Sequence, residues 1–219
     1  MLFRSNAPTR NEAANWLKKE GYATDPTYPD KLIQIMDQHA PLNTKEHILK
    51  VPYEYQLDNK SGTGYRECFS SSCAMVARFY GKIGNDDSYN IIRKKYGDST
   101  DVHAQIKALN ELHLNATFIQ NGTAANLEEE INNGYPIPVG WLHRGSTSNP
   151  TGSGHWSVII GYTPTHFIFN DPNGEADLTN GGYINNTKGA GIAYSRKNWL
   201  PRWLIDGAES GWFLRIRPK

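Results

Sequence analysis

The sequence predicts an α+β fold with an antiparallel sheet. Helix-period apolar spacing recurs through most of the chain as far as Asn133. Beyond it, short runs bounded by Gly, Pro, Asn and Asp take over, and these are strand signals. No internal repeat is present, which excludes solenoids and propellers.

Two short helices come first. Thr9-Arg10-Asn11-Glu12 has the form of a capping box, and Ala13, Ala14, Trp16 and Leu17 follow as an apolar stripe up to Gly21. Residues 21–26 read as a turn, and Leu32, Ile33 and Met36 mark a second helix that ends before Pro41. This predicts a small helical hairpin over 1–45, followed by a larger domain over 46–219. In that domain, helices are expected over 68–80, with Gly81 as the stop, and over 87–96, 101–112 and 123–133. Strands are expected over 114–119, 136–142, 156–162, 167–169 and 212–216. Residues 145–154, rich in Gly and Ser, read as a flexible loop, and 171–174 as a turn.

Composition narrows the function. The 219 residues are 38% hydrophobic and 21% charged, and 23 basic against 22 acidic groups give a net charge of +1. So balanced a surface has no one-signed field to attract nucleic acid or an anionic membrane. No stretch approaches the roughly 18 apolar residues of a membrane span, and the start, Met1 to Pro8, lacks the apolar core of a secretory signal. The only cysteines are Cys68 and Cys73. On one helix they would lie about 7.5 Å apart along the axis, unsuited to a disulfide. Without a CxxC pair or a second Cys/His cluster, no structural metal and no cofactor is expected. The oxygen-rich run from Asp171 to Asp177 lacks the spacing of a calcium loop.

Two free thiols direct attention to nucleophilic chemistry. Helix N-termini and neighbouring imidazolium groups lower a thiol's pKa, and Cys68 sits where a Gly-rich loop meets a helix. A matching base should come from a distant strand edge. His155 opens the apolar strand 156–162 after the flexible loop, and a hairpin returns Asn170 and Asp171 beside it. Asp171 is the expected orienter of the imidazole, with Asn170 in reserve, because alternate strand residues face opposite ways. Gln56 and the backbone N–H of Cys68 are candidate oxyanion donors. Phe69 next to the nucleophile, His143 before the loop, and Gly154 and Trp156 around His155 are the candidate substrate-binding residues.

The stretch from Val51-Pro52-Tyr53 through Gln56 and Cys68 to Met75 and Gly81, with Gly154-His155-Trp156 and Asn170-Asp171-Pro172, resembles the bacteriocin-processing (double-glycine) cysteine peptidases and their broader relatives. The resemblance implies a papain-like fold, with a helical half carrying the cysteine and an antiparallel sheet carrying His and Asp. It also implies the roles of oxyanion donor for Gln56, nucleophile for Cys68, base for His155 and orienter for Asp171. The sequence departs from the family where Phe69-Ser70-Ser71-Ser72 replaces the usual Gly-Pro-Thr-Ser.

Residues 21–33 resemble the closing segment of glucosaminidase domains that cut cell-wall glycan, without room for that enzyme's catalytic carboxylates. Together the two resemblances imply a phage-type endopeptidase acting on a peptidoglycan stem or cross-bridge. It would be made in the host cytoplasm and then reach the cell wall as a lysin, or be associated with the virion. A protein-processing protease and a non-catalytic wall-binding module are the rivals.

Overall fold

The chain divides into two units, residues 1–44 and 45–219. The computed structural model describes residues 47–219 and, before them, Gly21, Asp25, Thr27, Tyr28, Pro29 and Lys31. The helical hairpin expected over 1–45 lies outside the described residues.

Strand β1 (His47–Ile48) enters the second unit, and helix α1 (Cys68–Phe79) follows two short 3-10 turns, Gln56–Asp58 and Gly64–Arg66. Gly81 terminates α1 with φ +68°, a conformation glycine adopts without strain. Two further helices pack beside it. In α2 (Asp86–Arg93) the Asn85 side chain accepts from Ser88 N–H, and in α3 (Val102–Glu111) the Asp101 side chain accepts from His103 N–H. Strand β2 (Leu114–Gly122) leads to α4 (Ala124–Asn132), whose start carries a full capping box between Thr123 and Asn126. All four helices lie within a few residues of their expected positions.

The remaining strands are β3 (Ile137–Trp141), β4 (Arg144–Ser146), β5 (Asn149–Thr151), β6 (His155–Tyr162), β7 (His166–Asn170), β8 (Glu175–Ala176), β9 (Tyr183–Asn185) and β10 (Ile192–Ser195); β11 (Gly211–Pro218) follows helix α5 (Arg196–Trp203). The main sheet runs β10-β7-β6-β3-β11-β2, antiparallel throughout, with β1 pairing β6. Residues 145–154, expected as a flexible loop, are instead largely a hairpin of β4 and β5. Gly145 makes the hairpin possible: at φ +71°, a Cβ there would stand 2.3 Å from the Asn149 carbonyl oxygen.

Helices cover both faces of the sheet, which explains why β6 reads as an unbroken apolar run rather than an alternating one. On one face Met75 and Val76 of α1 meet Val158, Ile160 and Leu214. On the other, Leu127 and Ile131 of α4 and Trp199 and Trp203 of α5 meet Ile159, Phe167, Phe169 and Phe213.

Arg202 of α5 is fully buried. Its guanidinium donates to the carbonyls of Leu178 (3.0 and 2.7 Å), Leu142 (3.1 Å), Arg144 (3.0 Å) and Gly145 (2.7 Å). One side chain thereby ties the β4–β5 hairpin and the 178 turn to the end of β3, next to His155.

Candidate active site

Cys68 is the first residue of α1, and a polar network fixes that helix end. Glu67, fully buried at the N-cap position, accepts from Asn59 (2.8 Å), Ser61 (2.7 Å) and Thr63 (2.8 Å) and faces Arg93 of α2 at 3.7 Å. These contacts anchor the Gly-rich loop to α2. A buried carboxylate this well surrounded by donors and a guanidinium is compensated rather than strained. Cys73, one turn on, is fully buried, and desolvation pushes its thiol well above the ordinary cysteine pKa. It is a packing residue, and Cys68 is the partly exposed thiol.

His155 opens β6 directly opposite Trp141 of β3. Its Nε2 donates to Asp171 Oδ1 at 2.8 Å, and Cys68 is near enough to the ring to influence its charge. Burial disfavours the imidazolium, but the charge and hydrogen bond of Asp171, and then those of Cys68, outweigh it and push His155 up to about 10. Strand parity selects the carboxylate. Ile159 and Phe169 are cross-strand partners on one face, so His155 and Asp171 share that face. Asn170 faces the other way, donating to the Val51 carbonyl (3.0 Å) and accepting from Gly191 N–H (3.0 Å). The reserve candidate is therefore structural.

Asp171 is itself held on every side. Oδ1 also accepts from Asn173 N–H (3.0 Å), and Oδ2 accepts from the Tyr194 hydroxyl at 3.1 Å. Its backbone donates to Gly189 O (2.7 Å) and accepts from the Tyr53 hydroxyl (3.0 Å). Sequence reasoning missed Tyr194 and Tyr53. The apolar run Ile192-Ala193-Tyr194 was the one available signal for the former, and it is only four residues long as a strand. Replacing Tyr194 by Phe leaves a buried carboxylate oxygen without a donor, a loss of about 1–3 kcal/mol. The expected outcome is a lower denaturation midpoint. The alkaline limb of the pH–rate profile should also move upward, because a less solvated carboxylate binds the shared proton more tightly.

The same coupling sets a pH dependence of folding. His155 is raised above its unfolded value of 6.5, so its contribution is fully present below that pH and is lost as pH climbs toward 10. Urea midpoints at pH 6, 8 and 10 should fall for the native chain relative to His155→Gln across that window, and a constant difference would contradict the pairing.

The other candidates separate into groups. His143 lies beside His155 (ring centroids 5.6 Å) and near Tyr183 (5.9 Å); burial first, then the charge of His155, push it down to about 4. It is a neutral imidazole flanking the site. Gln56 donates one amide hydrogen to Gly64 O at 2.9 Å, keeping it against the loop before Cys68 and leaving a second N–H. Gly154 and Trp156 line a cavity of about 160 Å³ next to His155. Phe69, expected as a substrate contact, is instead buried and stacked face to face on Trp156 at 3.7 Å. Being second in α1, it points into the core between helix and sheet. The Asp177 carboxylate accepts from Thr179 and Asn180 within its own turn.

No curated relative matches the sequence. Among solved structures, a C39-like peptidase from Bacillus anthracis superposes with a TM-score of 0.55 at 14% identity, over 80% of this chain and 100% of that one. A double-glycine-motif protease from an AMS/PCAT transporter, solved with its leader peptide, gives 0.51 at 18% identity over 82% and 98%. The peptidase domain of Streptococcus ComA gives 0.51 at 18% over 76% and 98%. The fold is thus the papain-like one, with the cysteine on the helical half and His and Asp on the antiparallel sheet. Residues 48–201 match the Peptidase_C39 like family, and the chain belongs to that family of cysteine peptidases.

Proposed function

We propose that this chain is a cysteine endopeptidase working through Cys68, His155 and Asp171. The observation that carries the reading is the His155–Asp171 bond at 2.8 Å, which leaves the other imidazole nitrogen to a sulfur at a helix entrance. In the reaction, Cys68 passes its proton to His155 Nδ1 and its sulfur attacks the peptide carbonyl carbon. Gln56 and the Cys68 backbone N–H donate to the developing oxyanion. As the C–N bond breaks, His155 returns the proton to the leaving amine. Water, deprotonated by the same nitrogen, then hydrolyses the thioester and frees the sulfur. Asp171 keeps the imidazole's tautomer and tilt throughout. Incubation with an unfolded polypeptide tests this: the native chain should generate new N-termini and Cys68→Ala none. Equal cleavage by the two would refute the assignment.

The source of the peptide has two readings, each with its own support. The resemblance of residues 21–33 to a glucosaminidase tail favours a peptidoglycan stem or cross-bridge, cut by a phage-type lysin at the wall. The likeness to double-glycine proteases favours processing of a polypeptide. Mass spectrometry of peptidoglycan after digestion separates them: new free amines inside wall peptides support the first, and intact wall peptides beside a cleaved polypeptide support the second.

A further inference from the structure

At the start of α2 we infer a pH switch: Asp86 holds a proton in mildly acidic medium, and losing it in alkali disturbs the segment that carries Gln56. The inference rests on the peptidase reading and adds to it a form of regulation. Asp86 opens α2 with only 4% of its surface exposed. Among the described residues no cation pairs with it, and its Oδ2 accepts from the Ser71 hydroxyl of α1 at 3.0 Å. The charged groups that face it are carboxylates: Glu54 and Asp58 from the segment 54–58, and Asp87 from its own helix. The cations nearby are engaged elsewhere. Arg78 of α1 donates to Glu54 Oε1 at 2.9 Å, Lys60 lies 3.7 Å from Asp87, and Arg93 lies 3.7 Å from Glu67.

A buried carboxylate with no cation of its own takes up a proton rather than stay charged. Burial first, then the charge of Glu54, push Asp86 up to about 7 and outweigh the Ser71 hydrogen bond. Burial raises Glu54 as well. Once Asp86 ionises, like charges face each other where α2 meets the segment 54–58. Position ties this contact to the reaction. Gln56 lies between Glu54 and Asp58, and its amide reaches Gly64 O in the loop that leads to Cys68. Ser71 also accepts from Asn59 at 3.3 Å, and Asn59 donates to Glu67 Oε2 at 2.8 Å, next to Cys68. Repulsion therefore acts on the oxyanion donor, whereas the bond between His155 and Asp171 involves none of these groups. Asp86 is raised above its unfolded value of 3.8, so its contribution to stability is fully present below that pH. It is lost as pH climbs to about 7, a window that lies largely below the one set by His155.

Asp86→Asn tests the switch, because an amide keeps the shape of the protonated acid without its titration. The ratio of unfolding constants in urea, native to variant, should rise by about tenfold or more between pH 4 and pH 8. Cleavage of an unfolded polypeptide should fall several-fold in the native chain relative to the variant as pH rises from 5 to 8. Alkylation of Cys68 by iodoacetamide needs no oxyanion donor, so its native-to-variant ratio should stay level. Glu54→Gln removes the facing charge and should shrink the native chain's pH response in the same direction, so a failure of one variant to fold leaves the other to decide. A level ratio in either the unfolding or the cleavage series would overturn the switch and leave the peptidase reading standing. An alkylation ratio that follows the cleavage ratio would put the effect on the thiol and overturn the link to Gln56. No cleavage by either protein at any pH would overturn the peptidase reading, and the regulation with it.

Discussion

His155→Ala should slow alkylation of Cys68 by iodoacetamide at neutral pH by about 10²–10⁴-fold, the usual range for removing a positioned proton-transfer group. The argument is local. In the proposed triad His155 takes the Cys68 proton, and Asp171 holds the ring in place from Nε2. Without the imidazole the sulfur keeps only the helix end and its backbone N–H groups, a smaller electrostatic influence. Cys73 supplies the internal control: it is fully buried and should react slowly in both proteins. Thiol counting by mass spectrometry at successive times gives both rates at once. Equal rates for the native chain and the variant would mean that the two side chains do not share a proton.

Gly189→Ala should be the most damaging conservative change far from Cys68 in sequence. A Cβ at that position would sit 1.8 Å from the Asp171 carbonyl oxygen and 2.6 Å from the Tyr53 hydroxyl. Both are fixed: Tyr53 donates to that same carbonyl, and the Asp171 N–H donates to Gly189 O. Backbone rather than a flexible side chain must therefore move. The expected loss is about 3 kcal/mol, at the upper end for overpacking. In a domain of this size that lowers Tm by roughly 6–12 °C. Activity should fall further than stability alone requires, because the shift displaces the carboxylate from His155. Unchanged Tm and activity would show that the Asp171–Gly189 contact is looser than drawn.

These two sites also show where sequence is informative and where it is not. The positions of Cys68 at a helix start and of His155 at a strand start were legible because each sits at a boundary with strong local signals. Cys68 lies between a Gly-rich loop and an amphipathic helix, and His155 stands at the head of an unbroken apolar strand. Period-two alternation was enough to prefer Asp171 over Asn170. Gly189, Tyr53 and Tyr194 carried no such signal, since their roles arise from contacts across 18 to 118 positions in the chain. Strands β8, β9 and β10 are two to four residues long, too short for a periodic pattern. Helix α5 was hidden by Pro201 and by Arg202, a charged residue that normally marks a surface but is buried here by carbonyl contacts. Phe69 was misplaced for a related reason: sequence put it in the cleft beside Cys68, while the helix turns it inward onto Trp156.

The central claim, a sulfur at the entrance of α1 made reactive by an imidazole from β6, is tested most directly by one labelling experiment. The native chain is treated with one equivalent of an epoxide inhibitor of cysteine proteases, digested, and the adduct located by mass spectrometry. The predicted result is a single adduct on Cys68, absent when His155 is replaced. An adduct on Cys73, or equal labelling of Cys68 with and without His155, would contradict the account.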